Sequence, residues 1–153
     1  MLVKVLKRFI TEIDSTLSLK ERVELGKYAY ADKRIGNFDF LVPLEPEVKK
    51  TEVEMAIVEV HCPSVKWVNE IEEEIKKQVQ LRSADTAELL AFGAQYPKKV
   101  KMMKDIFAAR ATNKNGTLGI YLHLTRLSRE RTLEILWSLY WSRGMHYFLT
   151  VKE

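Results

Sequence analysis

The sequence is poor in the residues that build chemistry at fixed spacing. One cysteine, Cys62, stands among 153 residues. This excludes an intramolecular disulfide and a cysteine-rich zinc site, and Cys62 is expected to be a small core residue. His61, His123 and His146 show no metal-ligand spacing, and no glycine-rich phosphate loop is present. No apolar run approaches the length of a membrane span, so no membrane insertion is expected. The opening stretch, MLVKVLKRFITEID, mixes charges into its apolar residues and offers no small-residue cleavage site. No signal peptide is expected; the compartment is left open, with virion and cytoplasm both compatible. With no nucleophile–base pattern, no metal set and no cofactor motif, the chain reads as a binding protein rather than an enzyme.

What is present is ordinary globular composition, 46% hydrophobic and 30% charged. The length suits one domain with a sizeable core and a possible appendage. The net charge of +4 is uneven: residues 1–80 carry 13 Lys/Arg against 15 Asp/Glu, residues 81–153 carry 12 against 6. A basic half fits either a solvated face or a nucleic-acid partner using Lys98, Lys99, Lys101, Lys104 and Arg110. No aromatic stacking pattern accompanies those lysines, which argues against nucleic acid.

Along the chain, Val5, Leu6, Phe9, Ile10 and Ile13 fall on one helical face, which predicts a helix over 2–13. Ser18 and Glu21 form a capping box opening a second helix towards Arg34. Phe38, Phe40 and Val42 alternate as in a short strand, and the stretch 43–50, with two prolines and several charges, reads as a linker. The expected organisation is therefore a helical extension over 1–50 and a main domain over 51–153. The domain opens with a strand at Met55–Val60, then a helix with Val65, Val68, Ile71, Ile75 and Val79 on one face. Asp85 and Glu88 cap a further helix that Pro97 ends. A basic turn, Lys98–Lys104, leads to a hairpin marked by Asn115–Gly116, with Leu118, Ile120, Leu122 and Leu124 alternating on the return. Residues 128–143 are open to two readings: a helix carrying Leu133, Leu136, Trp137 and Tyr140, or a strand with Leu133, Ile135 and Trp137 on one face. The run Tyr147–Lys152 is strand-like. Between them, residues 137–147 set four large aromatics among Ser, Gly, Arg and His. That composition suits a recognition surface, and equally a core strand with interspersed surface residues.

The order and spacing of these pieces resemble a known fold. Met55-Ala-Ile-Val, the helix to Val79, Leu81–Pro97, the Asn115–Gly116 hairpin, Glu130–Trp137 and Phe148–Lys152 together resemble bacterial and viral proteins of the C-type lectin fold, over roughly two-thirds of the chain. The resemblance implies an α+β domain: a first strand, two helices and an antiparallel sheet whose last strand returns beside the first. It favours the strand reading of 131–137 and pairs Met55–Val60 with Phe148–Val151.

Within that fold the chain looks most like the variable proteins of diversity-generating retroelements. There, miscopied template adenines rewrite asparagine-type codons, and Ser, Leu, Tyr, Arg, Gly, His, Thr, Asp and Asn are reachable. Trp, Met, Glu, Gln and Lys are not. The resemblance then implies a variable ligand-binding face of His123, Arg126, Ser128, Arg129, Ser138, Leu139, Tyr140, Ser142, Arg143, Gly144 and His146. Trp137, Trp141 and Met145 interrupt it and are expected to pack into or shape the scaffold. The Glu-Pro-Asn and Trp-Asn-Asp motifs that hold calcium in sugar-binding lectins are missing, since Trp137 is followed by Ser138 and Leu139. No metal and no cofactor are expected. The implied function is a display protein binding protein or glycan targets. The alternative is a basic, nucleic-acid-associated regulatory protein. No pattern specifies an oligomeric state.

Overall fold

The computed structural model describes all residues except 41, 43–49, 99–104 and 126–127. The expected linker, apart from Lys50, and most of the basic turn thus lie outside the described residues. The elements run β1 (Leu2–Asp14), α1 (Leu19–Leu25), β2 (Tyr30–Ala31), a 3-10 helix (Lys33–Asn37), β3 (Lys50–Cys62), β4 (Lys66–Trp67), α2 (Val68–Val79), β5 (Arg82–Ser83), α3 (Thr86–Gln95), β6 (Asp105–Thr112), β7 (Gly119–Leu124), β8 (Arg131–Leu136), β9 (Tyr140–Trp141) and β10 (Gly144–Val151). The fold is α+β. One large sheet is ordered β1-β3-β10-β6-β7-β8-β2, with β5 beside β10, and β4 and β9 form a separate ribbon. Pairing is antiparallel except at β10–β6 and β2–β8.

Alternation along β3 sends its side chains to two cores. Met55 and Ile57 meet Leu89, Leu90 and Phe92 of α3, together with Ile106, Leu122, Leu133 and Leu149. Ala56, Val58, Val60 and Cys62 meet Ile71 and Ile75 of α2, together with Phe107, Trp141 and Phe148. Helices α2 and α3 therefore lie on opposite faces, and the sheet between them is buried on both sides. Cys62 is buried, and burial pushes its thiol above the usual range.

The helical extension expected over 1–50 is overturned at its start. Residues 2–14 form a strand that pairs with β3 from Leu2↔His61 to Asp14↔Lys50. The cause is a bulge between Val5 and Lys7. Val3 and Val5 point to the α2 side, whereas Leu6, Phe9 and Ile13 join the α3 side. A bulge shifts the side-chain alternation by one, so the apolar residues fell at 5, 6, 9, 10 and 13 and imitated helical spacing. The capping box at Ser18 and Glu21 is present, but α1 stops at Leu25 instead of running towards Arg34. Gly26 follows it, and Lys27 takes φ +48°. The strand expected at 37–42 is absent over 37–40, where Phe40 is nonetheless a core residue.

The expectations for the rest hold at the level of elements. Asp85 Oδ1 accepts from the Glu88 amide and Glu88 Oε1 from the Asp85 amide, both at 2.9 Å, and α3 begins there. Arg82 adds a bidentate bond to Glu88 at 2.8 and 2.7 Å. The hairpin turns at Gly116, φ +67°. Residues 131–136 are a strand, pairing with β7 from Leu124↔Arg131 to Gly119↔Leu136. Val151 pairs with Met55 and Phe148 with Val58, as the resemblance implies.

The outer edge of β1 is closed at both ends by side chains. Gln78 of α2 accepts from the Val3 amide (3.0 Å) and donates to the Met1 carbonyl (2.7 Å). Gln95 of α3 accepts from the Glu12 amide (2.9 Å) and donates to its carbonyl (2.6 Å). The Tyr96 hydroxyl donates to the Ile10 carbonyl.

Candidate functional site: a cleft on the open face of the sheet

On the α2 side the sheet is closed over β3 and over Phe107 and Ala109 of β6, and partly open over β7 and β8. Strand pairing places Asp105 opposite His123, Phe107 opposite Tyr121 and Tyr121 opposite Glu134. These side chains share one face, because each neighbours a member of the same core or its register partner. Next to them runs a cleft of about 520 Å³. Asp105 and Phe107 of β6, Leu136 of β8, and Met145, His146 and Tyr147 of β10 line it, and Tyr140, Trp141 and Ser142 form its other side.

The segment 138–144 is held there by the start of α2. Lys66 pairs with Trp141 and Trp67 with Tyr140, and the Val68 amide donates to the Leu139 carbonyl at 2.9 Å. The exposed rings of Trp67 and Tyr140 lie 3.6 Å apart between centroids. Glu70 accepts from the Trp67 amide at 2.8 Å and so fixes the first turn of α2. Trp141 is 4% exposed and sets its ring against Phe107 (5.4 Å) and Phe148 (5.3 Å).

Polar groups on this face form two pairs. His123 Nδ1 bonds Asp105 Oδ1. The Tyr121 hydroxyl donates to Glu134 Oε2 at 3.3 Å. Burial, then the charges of Glu134 and Asp105, push the Tyr121 phenol up to about 12, so it is a donor at neutral pH. His146 Nε2 donates to the Ser142 carbonyl at 2.8 Å, and its ring lies 6.4 Å from Phe107.

Of the sequence-derived positions, Tyr140, Ser142 and His146 line the cleft, and His123 reaches it through Asp105. Ser138 and Leu139 precede the wall; Ser138 Oγ accepts from the Tyr140 amide at 3.3 Å, and Leu139 packs on the α2-side core. Arg143 is exposed. Ser128 and Arg129 belong instead to the β7–β8 turn, where Ser128 bonds Thr125 (2.6 Å) and Arg129 takes φ +57°. Arg126 lies outside the described residues. Gly144 takes φ +127°, a conformation that L side chains rarely adopt, so a replacement there meets backbone strain.

Two scaffold expectations need correction. Trp137 is 55% exposed, and Met145 is also exposed. Trp137 lies just past the end of β8, outside the core, with its ring edge-on to Phe38 (5.6 Å) and under the Arg34 guanidinium (4.8 Å). Sequence reasoning also missed Asp105, Tyr121 and Glu134. The signal was there: Ile120, Leu122 and Leu124 point to the α3 side, which obliges Tyr121 and His123 to point the other way.

Among the described residues, no three His, Cys, Asp or Glu side chains converge as a metal site would require. No helix among them is long and apolar enough to cross a membrane. Of the basic set weighed for nucleic acid, Lys99, Lys101 and Lys104 lie outside the described residues, and Arg110 is ion-paired to Glu72 at 2.5 Å. No family model matches the chain, and no match was found among curated proteins or solved structures.

Proposed function

We propose that this chain is a ligand-binding display protein on a C-type lectin-like scaffold. Its C-terminal surface, rewritten by a diversity-generating retroelement, contacts protein or glycan targets, and it acts by binding rather than by catalysis. One observation carries this reading. None of the ten described candidate positions is buried, while Trp141, which stands between them in sequence, and Phe148, which follows them, belong to the core. At the former, Leu139 and Gly144 apart, side chains can change without opening a cavity or straining the backbone; the latter hold the surface in shape. The scaffold reading is supported by the β3–β10 pairing, which brings the ends of the domain together, and by the two helices that follow β3. A cleft of about 520 Å³ is within the size range of ligand sites.

The test is to replace Ser138, Tyr140, Ser142 and Arg143 together with other residues from the reachable set. A display library of such variants is then panned against immobilised proteins and glycans. The expected result is a folded protein whose capture changes with the four residues. A protein that unfolds would place these positions in the core and reject the reading. The expected genomic signature is a near-copy of the coding region for 120–147, with adenines at the divergent codons, beside a reverse-transcriptase gene. Its absence would reject the retroelement.

A further inference from the structure

We propose that the floor of the cleft is a guanidinium site, which accepts an arginine side chain of a protein partner. This deepens the display reading and rests on it, but it concerns a part of the cleft that the variable positions do not supply.

The chemistry starts from Asp105. Its Oδ1 is taken by His123, and its Oδ2 has no hydrogen-bond partner among the described residues. The side chain is about one-third exposed, and it lines the cleft. Glu134 stands two strands away on the same face and, among the described residues, receives only the Tyr121 hydroxyl. Neither carboxylate has a Lys or Arg partner among the described residues, although Arg34, Arg82 and Arg110 are all ion-paired elsewhere. Both carboxylates stand near Tyr121, whose phenol is raised first by burial and then by the charges of Glu134 and Asp105.

Around Asp105 the cleft is aromatic, with Phe107, Tyr140, Trp141 and Tyr147 on its sides. A carboxylate with an open oxygen beside ring faces and edges is complementary to a planar cation. Guanidinium donates in a fork to carboxylate and stacks on aromatic rings, and it is more weakly hydrated than ammonium. In a half-enclosed cleft the attraction is screened less than on an open surface. Asp105, Phe107 and Trp141 all lie outside the expected variable set. Variants would therefore share a preference for arginine at the floor and differ in what surrounds it.

The experiment titrates the folded, isotope-labelled protein with N-acetyl-arginine amide, N-acetyl-lysine amide and N-acetyl-citrulline amide. The readout is the Trp141 indole N–H and the backbone amides of Phe107 and Tyr147. Saturable shifts at these groups are expected with the arginine probe. Binding should be about tenfold or more weaker with citrulline, its neutral isostere, and weaker with lysine. Asp105→Asn should weaken arginine binding about tenfold as well. Should that variant fail to fold, the arginine–citrulline comparison on the unaltered protein still decides. Citrulline binding as tightly as arginine, shifts confined to amides outside the cleft, or a folded Asp105→Asn variant that binds arginine undiminished would each overturn the site. Loss of arginine binding with target capture intact rejects only the guanidinium floor. Arginine binding without any captured target rejects the display reading instead.

Discussion

The two halves of the sheet are built on different terms. Over β1, β3 and β10 both faces are covered, α2 on one side and α3 on the other, and Ile57, Val58, Phe148 and Leu149 are fully buried. Over β7 and β8 one face packs on the α3-side core. The other carries Tyr121, His123 and Glu134, all partly exposed. The closed half buries apolar area on both sides of β3 and of the end of β10, so its contribution to stability per residue is the larger there. The open half leans on that frame, and its outward side chains are free for chemistry that a core would not tolerate.

The sharpest way to break this comparison is to open a cavity in the closed half. Phe148→Ala should cost about 3–5 kcal/mol, measured as the shift in urea midpoint at constant m-value. A loss no larger than that of an open-face substitution would mean that the two halves share the load. Next comes the cap of α3. Glu88→Ala removes the box with Asp85 and leaves Arg82, itself partly buried, without its bidentate partner. About 1–3 kcal/mol should be lost in the same assay. Trp137→Ala should cost about 1 kcal/mol or less, because only an edge contact and a cation contact at the surface disappear. Trp141→Ala, four residues on, should cost several times more. Equal losses at the two tryptophans would contradict their placement.

The smallest effect at neutral pH belongs to Tyr28, whose hydroxyl is buried on the α3 side without a hydrogen-bond partner among the described residues. Burial pushes its phenol up from 10.0 to about 12. The folded state therefore resists ionisation that the unfolded chain undergoes. Stability is full below pH 10.0 and falls as pH rises towards 12. Tyr28→Phe should change neutral stability by less than about 0.5 kcal/mol and be the more stable protein at pH 11. Chemical denaturation at the two pH values checks both statements.

The sequence announced the local devices well: the capping boxes at Ser18 and Asp85, the Asn115–Gly116 turn and the alternation of β7 are each written within a few residues. It misled where one residue changes the period. A bulge at the start of the chain turned a strand into an apparent helix, and no local rule marks that extra residue in advance. Trp137 was misjudged for a related reason. It continues the alternation of Leu133 and Ile135, but β8 ends at Leu136, one residue before it, so period alone did not carry it into the core. Of the cleft, the segment 138–146 was legible through its composition. Asp105 was not, because its place beside that segment depends on the order of β10 and β6 in the sheet.

The glutamines along β1 have a consequence for how copies of this protein meet. An uncovered edge is a template on which another strand can grow, and repeated growth makes a fibre. Gln78 and Gln95 present to β1 the same donor and acceptor pair that a neighbouring strand's peptide group would present, one at each end of the strand. Between them, the bulge and the positive charges of Lys4, Lys7 and Arg8 occupy the stretch left open. At the opposite border only the two residues of β2 are added to β8. The sheet is thus terminated on one side by mimicry and on the other by brevity. Copies of this protein can then meet without the backbone of one becoming an adhesive for the next.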